Sequence, residues 1–185
     1  MLSHETLVYE LKVTLKGSKP PIWRRILVKS DTRLSKLHDI LQAAMGWEDC
    51  HLHQFEVGGV YYGVRDPAIG LEVKDERRAS LNNVLSAEKQ KITYEYDMGD
   101  SWEHEILLEK ILPLDAKIRY PVCVTGKRAC PPEDCGGVWG YADLLEILAD
   151  PNHPEREDRL DWLGDEFDPE AFDLEEVNRT LREIP

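Results

Sequence analysis

The spacing of apolar residues near the start of the chain predicts two neighbouring β-strands. In the run LVYELKVTL, residues 7 to 15, side chains alternate in the period of a strand with one buried face. GSKPP then predicts a turn. The next run, IWRRILV, residues 22 to 28, also reads as a strand, with Arg24 on one face and Arg25 on the other. Whichever face is buried, an arginine of this strand lies among apolar neighbours.

The clearest helical pattern follows the second strand. Apolar residues recur at helical spacing over residues 34 to 45, with Asp31 or Thr32 as the predicted N-cap and Gly46 as the predicted end. His38 lies on the apolar side of this helix, and we interpret it as a packing residue rather than a ligand.

Two β-hairpins are predicted after the helix. HLHQFEV and VYYGV are joined through two consecutive glycines, which favour a tight turn. The stretch KITYEYDMGDSWEHEI, residues 91 to 106, has two arms around the polar tip DMGD, where Gly99 is expected to supply a positive φ. Because Trp102 and His104 share one face, we expect Trp102 to be substantially buried.

The last third of the chain reads as a loop followed by acidic helices. ACPPEDCGG, residues 129 to 137, is predicted to be a stiff loop because prolines and glycines bracket it. YADLLEILAD, EREDRLDWLG and DPEAFDLEEVNRTLREI are predicted helices, the last opened by Asp168 and Pro169. The acids should stay in solvent while apolar residues pack, namely Leu144, Leu145, Leu148, Trp162 and Leu181.

The order of these elements predicts an α+β fold. Its largely antiparallel or mixed sheet starts with a ββα unit and is followed by C-terminal acidic helices. At 185 residues the chain is expected to form a single domain, residues 1–185. Its sheet-rich part spans 1–127, and its loop and acidic helical part spans 128–185.

Negative charge is concentrated at the C-terminal end. The net charge is −13, and from Asp143 onward fifteen Asp or Glu residues stand against four Arg, which accounts for −11. This imbalance opposes direct binding to nucleic-acid phosphates. The acids are interpreted as solvated helix faces, with a basic protein partner as the alternative.

Composition also indicates the compartment. No apolar run approaches the ~18 residues of a membrane span, and the start lacks the pattern of a secretion signal. Four cysteines are too few for a disulfide scaffold, so free thiols or a metal site are expected. We therefore expect a cytoplasmic protein with no membrane association.

Six stretches together resemble one family: PPIWRRILV, LHDILQAAMGW, HLHQFEV, YEYDMGDSWEHEI, ACPPEDCGGVWGY and LADPNHPEREDRLDWLGDEFDPEAFDLEEVN. They occur in order and cover nearly the whole chain. The resemblance is to the plasmid pRiA4b ORF-three-like family, whose members are also described as passenger proteins of insertion elements. It implies a plasmid or mobile-element context and carries no activity with it.

Candidate catalytic groups lie in the second hairpin. Asp97 or Asp100 with His104 could act as a base and the group that orients it, because proton transfer needs a group that titrates near neutrality. The alternative is that the aspartates stabilise the turn while the histidine packs. No serine-elbow, phosphate-loop or HExxH-type motif accompanies them.

Candidate metal ligands lie in the stiff loop. Cys130 and Cys135 could bind zinc, although their spacing is wide and no second cysteine pair matches it. Free loop thiols are the alternative. Cys50, His51 and His53 form a separate cluster in the sequence.

The acids of the same loop have two interpretations. Glu133 and Asp134 could bind a cation or a basic partner, or they could pair internally with Arg24 or Arg25. We expect one of these arginines to form a salt bridge with Glu133, Asp134, Asp97 or Asp100, because an isolated buried charge is costly.

The favoured hypothesis is a cytoplasmic binding or accessory module that acts through protein contacts, without a cofactor. Its binding residues would include Arg24, Arg25, Trp102, Glu133 and Asp134. The alternative is a small hydrolytic or metal-assisted enzyme with a site between the 97–104 hairpin and the 130–137 loop.

Overall fold

The computed structural model describes residues 6–65, 72–164 and 167–185. In these ranges it contains an eight-stranded sheet and five α-helices, which confirms the predicted α+β fold. The strands are β1 (Val8–Leu15), β2 (Trp23–Lys29), β3 (His53–Val57), β4 (Val60–Gly63), β5 (Lys74–Asp75), β6 (Lys91–Tyr96), β7 (Trp102–Leu112) and β8 (Val122–Lys127). The helices are α1 (Leu34–Met45), α2 (Leu81–Val84), α3 (Gly137–Ala149), α4 (Arg156–Leu163) and α5 (Leu174–Glu183).

The strand order in the sheet is β5-β4-β3-β6-β7-β1-β2-β8. Neighbouring strands are antiparallel except for the β4–β5 pair, which is parallel. Both predicted hairpins are confirmed: Gly58 and Gly59 join β3 to β4 with positive φ, and Tyr96 of β6 lies opposite Trp102 of β7. In this order β6, β7 and β8 each lie next to a strand that is distant in sequence, namely β3, β1 and β2.

The tip of the β6–β7 hairpin differs from the prediction in its backbone. Gly99 does not supply the positive φ; Asp97 and Ser101 do, with φ of 53° and 56°. Aspartate tolerates this region because its short side chain bonds local backbone, and here Asp97 Oδ1 accepts from the Gly99 N–H at 2.9 Å. The glycine is therefore used as a hydrogen-bond donor in this turn.

The sheet buries one face, as the alternation in β1 predicts. Leu11, Val13 and Leu15 lie in the core with the apolar side of α1, and Trp102 is fully buried there as expected. The opposite face carries charged pairs such as Glu10 with Lys110 at 3.0 Å. A one-residue slip would move every core side chain to the charged face, so the pattern also determines the register.

The start of α1 was predicted wrongly, and its end correctly. The N-cap is Arg33 rather than Asp31 or Thr32, and no side chain caps the helix. The Leu34 N–H instead donates to the Ala79 carbonyl at 2.9 Å, so a distant segment replaces the cap. Gly46 ends the helix in the left-handed region, with φ of 108°.

The last helix begins later than predicted. Its N-cap is Asp173, whose side chain accepts from two N–H groups of the first turn, and not Asp168. The Pro169 carbonyl accepts from the Ala129 N–H at 3.1 Å, which holds residues 168 to 171 in a loop against the start of the 129–137 segment.

Most of the predicted packing of the acidic segment is confirmed. Leu144 and Leu181 are buried, Leu145 and Leu148 pack against the same core, and every described Asp or Glu after residue 142 is exposed. The prediction was wrong for Trp162, which is 48% exposed. Among the described residues, no helix is both long and apolar enough to cross a membrane.

Arg24 is buried as expected, but its predicted ion pair is wrong. The residue is 2% exposed, and its guanidinium donates to four backbone carbonyls rather than to a carboxylate. These acceptors are the carbonyl oxygens of Ala44 at 2.8 Å, Met45 at 3.3 Å, Trp23 at 2.9 Å and Lys127 at 3.0 Å. Two of them belong to the last turn of α1, where unpaired carbonyls and the negative end of the helix dipole favour a cation.

Arg25 does form an ion pair, but with none of the four predicted acids. Its Nε and one terminal nitrogen contact the two carboxylate oxygens of Glu109, at 2.5 and 3.1 Å, on the partly exposed face of the sheet. Glu133, Asp134, Asp97 and Asp100 are therefore not used to neutralise the arginines of β2.

The two adjacent arginines should differ strongly in their effect on stability. Arg24→Met, which keeps most of the aliphatic stem, should lower the free energy of unfolding by about 3–5 kcal/mol because it leaves several buried carbonyls unpaired. Arg25→Met should cost about 1 kcal/mol or less, since its pair is partly solvated. Urea denaturation of both variants measures the difference, and similar losses would contradict the role given to Arg24.

Candidate functional site

Three loops meet at the turn of the β6–β7 hairpin. They are the segment after α1, residues 46 to 52; the hairpin tip, residues 97 to 101; and the loop between β8 and α3, residues 128 to 136. Four side chains converge there, and we call them the junction: His51, Asp97, Glu133 and Asp134.

His51 is the centre of the junction. Its Nε2 atom lies 3.1 Å from Asp134 Oδ1, 3.7 Å from Asp97 Oδ2 and 3.9 Å from Glu133 Oε2. None of these contacts is a hydrogen bond, although Nε2 itself is buried. The imidazole packs edge-on against Tyr96, with ring centroids 5.8 Å apart.

Glu133 is held in place through one of its carboxylate oxygens. Oε1 accepts from the Glu48 N–H at 2.9 Å and from the Tyr96 hydroxyl at 3.1 Å. Burial raises the pKa of Tyr96, and the nearby Glu133 carboxylate raises it further, so this hydroxyl stays protonated as a donor. The second oxygen, Oε2, faces the junction and is buried without a hydrogen-bond partner.

The two aspartates of the junction differ in exposure. Asp97 is only 7% exposed, and its N–H donates to the Leu52 carbonyl at 2.9 Å, which ties the hairpin tip to the segment carrying His51. The Asp134 side chain is 70% exposed and lies on the solvent side of the junction. Both residues have positive φ, 53° and 55°.

Cys50 lies at the edge of the junction. Its N–H donates to the Tyr96 hydroxyl at 3.0 Å, and ligand-type atoms of Cys50, His51 and Glu133 all lie within 4.8 Å of one another. The residue is exposed. It was seen in the sequence as part of a separate cluster, and the fold brings it to the 130–137 loop.

Asp100 and His104 do not join the junction. Asp100 Oδ2 accepts from the Gly136 N–H at 3.0 Å and so connects the hairpin tip to the start of α3. His104 is fully buried; its Nε2 accepts from the Trp47 indole N–H at 3.2 Å, and its Nδ1 lies 3.3 Å from the Tyr94 carbonyl. Burial lowers the pKa of His104 to about 4, so the ring is neutral at pH 7.

The loop cysteines Cys130 and Cys135 are partly buried free thiols. Among the described residues, neither Cys130 nor Cys135 belongs to a group of three or more ligand-type side chains. Burial raises the pKa of Cys130 well above its ordinary value and that of Cys135 to about 12, so both thiols are neutral at pH 7. Cys130 instead lines a cavity of about 270 Å³ with neighbours that include Glu48, Pro131, Glu133 and Phe167.

The helix that follows the loop has an exposed apolar surface. Trp139, in the first turn of α3, is 85% exposed. It borders an apolar groove of about 240 Å³, and we call this surface the Trp139 face; it comprises Gly17, Ser18, Lys19, Val138, Trp139, Tyr141, Ala142 and Leu145.

Comparison with known proteins identifies the family. The family described as plasmid pRiA4b ORF-3-like protein matches residues 7–176. The chain belongs to this family. The match includes all three loops of the junction and the whole of α3.

Two relatives from this comparison extend over nearly the full chain. One is the uncharacterised protein y4hQ of Sinorhizobium fredii, which is 38% identical over 179 residues, covering 96% of this chain and 92% of the relative. The other is the crystal structure of a protein of unknown function from Methanosarcina mazei Go1, at 43% identity and a TM-score of 0.85, covering 93% of this chain and 98% of that one. They support the fold and the family without indicating an activity.

Sequence reasoning found three of the four junction residues, and its enzyme hypothesis placed them at one site between the 97–104 hairpin and the 130–137 loop, but it favoured other direct partners for each of them. Asp97 was grouped with His104, and Glu133 and Asp134 with the arginines of β2. The missing residue was His51, which the sequence grouped with His53; His53 turns instead into the core, where its Nε2 lies 2.8 Å from Glu76 Oε2. Residues two positions apart share a face only within a strand. Because β3 begins at His53, His51 lies outside the strand and need not share the face of His53.

Close packing at the start of α3 should make Gly137 intolerant of substitution. It has a φ of 67°, and a Cβ atom there would lie 2.4 Å from the Asp100 carbonyl oxygen. Gly137→Ala should therefore cost more than the ~1–2 kcal/mol of left-handed strain alone. Gly164→Ala is the matched control, since Gly164 has a φ of 75° and a Cβ atom there would meet no atom of the described residues within 4 Å. Equal losses in the free energy of unfolding would show that the contact with Asp100 is unimportant.

The buried His104 should make the protein less stable in mild acid. Its ordinary pKa of 6.5 applies in the unfolded chain, while the folded value is about 4, so between these values the unfolded state binds more protons. Stability due to this group is present above pH 6.5 and is lost as the pH falls towards 4. His104→Gln should reduce the slope of unfolding free energy against pH by up to about 1.4 kcal/mol per pH unit in this window. An unchanged slope in His104→Gln would contradict this role of the buried ring.

Proposed function

We propose that this protein is a cytoplasmic binding module that holds a protein partner on the Trp139 face. The single observation that carries the proposal is the 85% exposure of the Trp139 indole beside an apolar groove. A tryptophan so exposed forgoes the free energy that burial of its large apolar surface would supply. Tryptophan is also among the residues that contribute most to protein–protein binding.

The charge around this face supports a basic partner. Asp143 and Glu146 follow Trp139 at positions i+4 and i+7 of α3, and both are exposed. The chain from residue 143 onward contributes −11 of the net charge of −13. Such a field attracts a segment carrying Lys or Arg and opposes the approach of nucleic-acid phosphates.

The arrangement of the hairpin residues supports binding over the catalytic alternative. Asp100 accepts a hydrogen bond from the Gly136 N–H and His104 accepts one from the Trp47 indole, so the predicted acid and base do not face a common cleft.

The four free cysteines support the cytoplasmic assignment, because a reducing compartment keeps thiols unpaired. One core that includes Tyr141, Leu144 and Leu181 with the sheet supports a single domain. An accessory role in plasmids or mobile elements is part of this proposal and is supported by the family name alone.

Selection from a random peptide-display library tests the partner chemistry without a known ligand. We expect enriched peptides to combine a large apolar residue with flanking Lys or Arg. Their affinity for Trp139→Ala should fall by about 30-fold, which is the roughly 2 kcal/mol of an interface hot spot. Trp162→Ala is the matched control, since Trp162 is a second exposed tryptophan on α4, and it should bind normally.

Three results would contradict the proposal. They are the absence of enriched peptides, enrichment of acidic peptides, and equal binding to the wild type and to Trp139→Ala. Fluorescence anisotropy at low and high salt gives the affinities, and binding through charge should weaken as salt increases.

A further inference from the structure

The junction has the composition of a metal site as well as of a charged cluster. It combines one imidazole nitrogen from the segment after α1 with three carboxylates, one from the hairpin tip and two from the loop before α3. Imidazole and carboxylate are ordinary ligands of first-row divalent metals, whereas Ca²⁺ and Mg²⁺ prefer sites made of oxygen alone. The imidazole therefore distinguishes this cluster from a merely acidic surface.

The distances in the junction fit the edges of a coordination shell. Ligand atoms about 2.0–2.2 Å from one metal lie roughly 3 Å apart in octahedral geometry and about 3.5 Å apart in tetrahedral geometry. The carboxylate oxygens lie 3.1, 3.7 and 3.9 Å from His51 Nε2. Ligand-type atoms of His51, Asp97 and Asp134 all lie within 4.8 Å of one another. Glu133 belongs to a second such group, with Cys50 and His51, so the two groups share His51, and the Glu133 carboxylate would have to move towards Asp97 and Asp134 to reach the same ion.

Two buried atoms of the junction lack the partners that buried polar atoms normally have. His51 Nε2 and Glu133 Oε2 are both buried, and neither forms a hydrogen bond. Asp134 Oδ1 lies 3.1 Å from Nε2, but it is not placed to accept a hydrogen bond from the ring. A cation held between the ring and the carboxylates would satisfy both atoms at once.

No Lys or Arg side chain in the described part of the chain pairs with the carboxylates of the junction. In residues 6–65, 72–164 and 167–185, His51 supplies the only basic side-chain nitrogen within 4.0 Å of the carboxylates of Asp97, Glu133 and Asp134. The arginines of β2 are engaged elsewhere. Three carboxylates within reach of one ring repel one another, and a divalent cation compensates this repulsion better than a single proton.

The supporting contacts orient the free oxygens towards His51. Glu133 is fixed through Oε1 by Glu48 and Tyr96, which leaves Oε2 free, and Asp97 is fixed through Oδ1 by Gly99, which leaves Oδ2 free. Such hydrogen bonds to the non-coordinating atom are typical of the outer shell of metal sites. The exposed Asp134 leaves the solvent side accessible, so an ion can enter.

We propose that His51, Asp97, Glu133 and Asp134 bind one divalent first-row transition-metal ion, such as Zn²⁺, Mn²⁺ or Co²⁺. This site is independent of the Trp139 face. It uses ligands from three loops, so the bound ion would hold the segment after α1, the hairpin tip and the loop before α3 together.

Calorimetric titration of the chelator-treated full chain with Zn²⁺, Co²⁺, Mn²⁺, Mg²⁺ and Ca²⁺ tests this proposal. We expect one transition-metal ion per chain and a visible absorption spectrum for bound Co²⁺. His51→Asn and Asp97→Asn should each lower the affinity by at least the 10–100-fold that loss of an outer-shell partner typically causes. Tyr96→Phe, which removes the hydroxyl that orients Glu133, should fall in that 10–100-fold range.

Control variants distinguish the loss of a metal-coordinating side chain from unfolding of the protein. His153→Asn removes a histidine outside the junction and should leave metal affinity unchanged. Each variant is included only if its metal-free form unfolds cooperatively, and metal should raise the melting temperature of the wild type but not of His51→Asn. If Asp97→Asn fails to fold, Glu133→Gln takes its place.

Four results would overturn the proposal. They are no binding to the wild type, tighter binding of Mg²⁺ or Ca²⁺ than of the transition metals, unchanged affinity in His51→Asn, and complete loss of binding in Cys50→Ser. The last result would replace the four-residue site by one centred on Cys50, His51 and Glu133.

Discussion

The buried Arg24 guanidinium is the interaction on which the arrangement of the loops depends. It donates to carbonyls at the end of α1, in β2 and at the end of β8, so one side chain connects three elements. The segment carrying His51 leaves the end of α1, and the loop carrying Glu133 leaves the end of β8. A charge buried without these acceptors would be strongly unfavourable. The end of α1 and the end of β8 are therefore restricted to positions in which their carbonyls reach the guanidinium. The Phe172 ring, 4.6 Å from the guanidinium, extends the same contact to the C-terminal segment.

The loop between β8 and α3 connects the two proposed binding surfaces. Its acids face His51, and its end forms the start of α3 with the exposed Trp139. Two prolines and the contact of Gly137 with the Asp100 carbonyl leave this loop little freedom. A loop with few accessible conformations loses little entropy when it binds a ligand, which suits a surface whose function is binding.

The histidines of the chain show that burial and partners decide their chemistry. His104 is buried with the Trp47 indole N–H as its donor, and its ring stays neutral. His38 stacks on His53 with ring centroids 3.5 Å apart, and burial, together with the neighbouring His53, lowers its pKa. These rings are packing residues, as was expected for His38. His51 differs because it is partly solvated and surrounded by carboxylates, so it can take part in binding.

The sequence by itself determined the features that depend on local chain geometry. Alternation specified the strands and the buried face of β1, glycines marked the β3–β4 turn and the end of α1, and helical spacing placed the acids in solvent. Only the tertiary structure decided which residues meet. Arg24 is neutralised by backbone carbonyls, which every residue carries and which no residue type reveals. His51 meets Asp134 because the Arg24 guanidinium holds the end of α1 close to the end of β8, and contacts across more than eighty residues leave no periodic trace in the sequence.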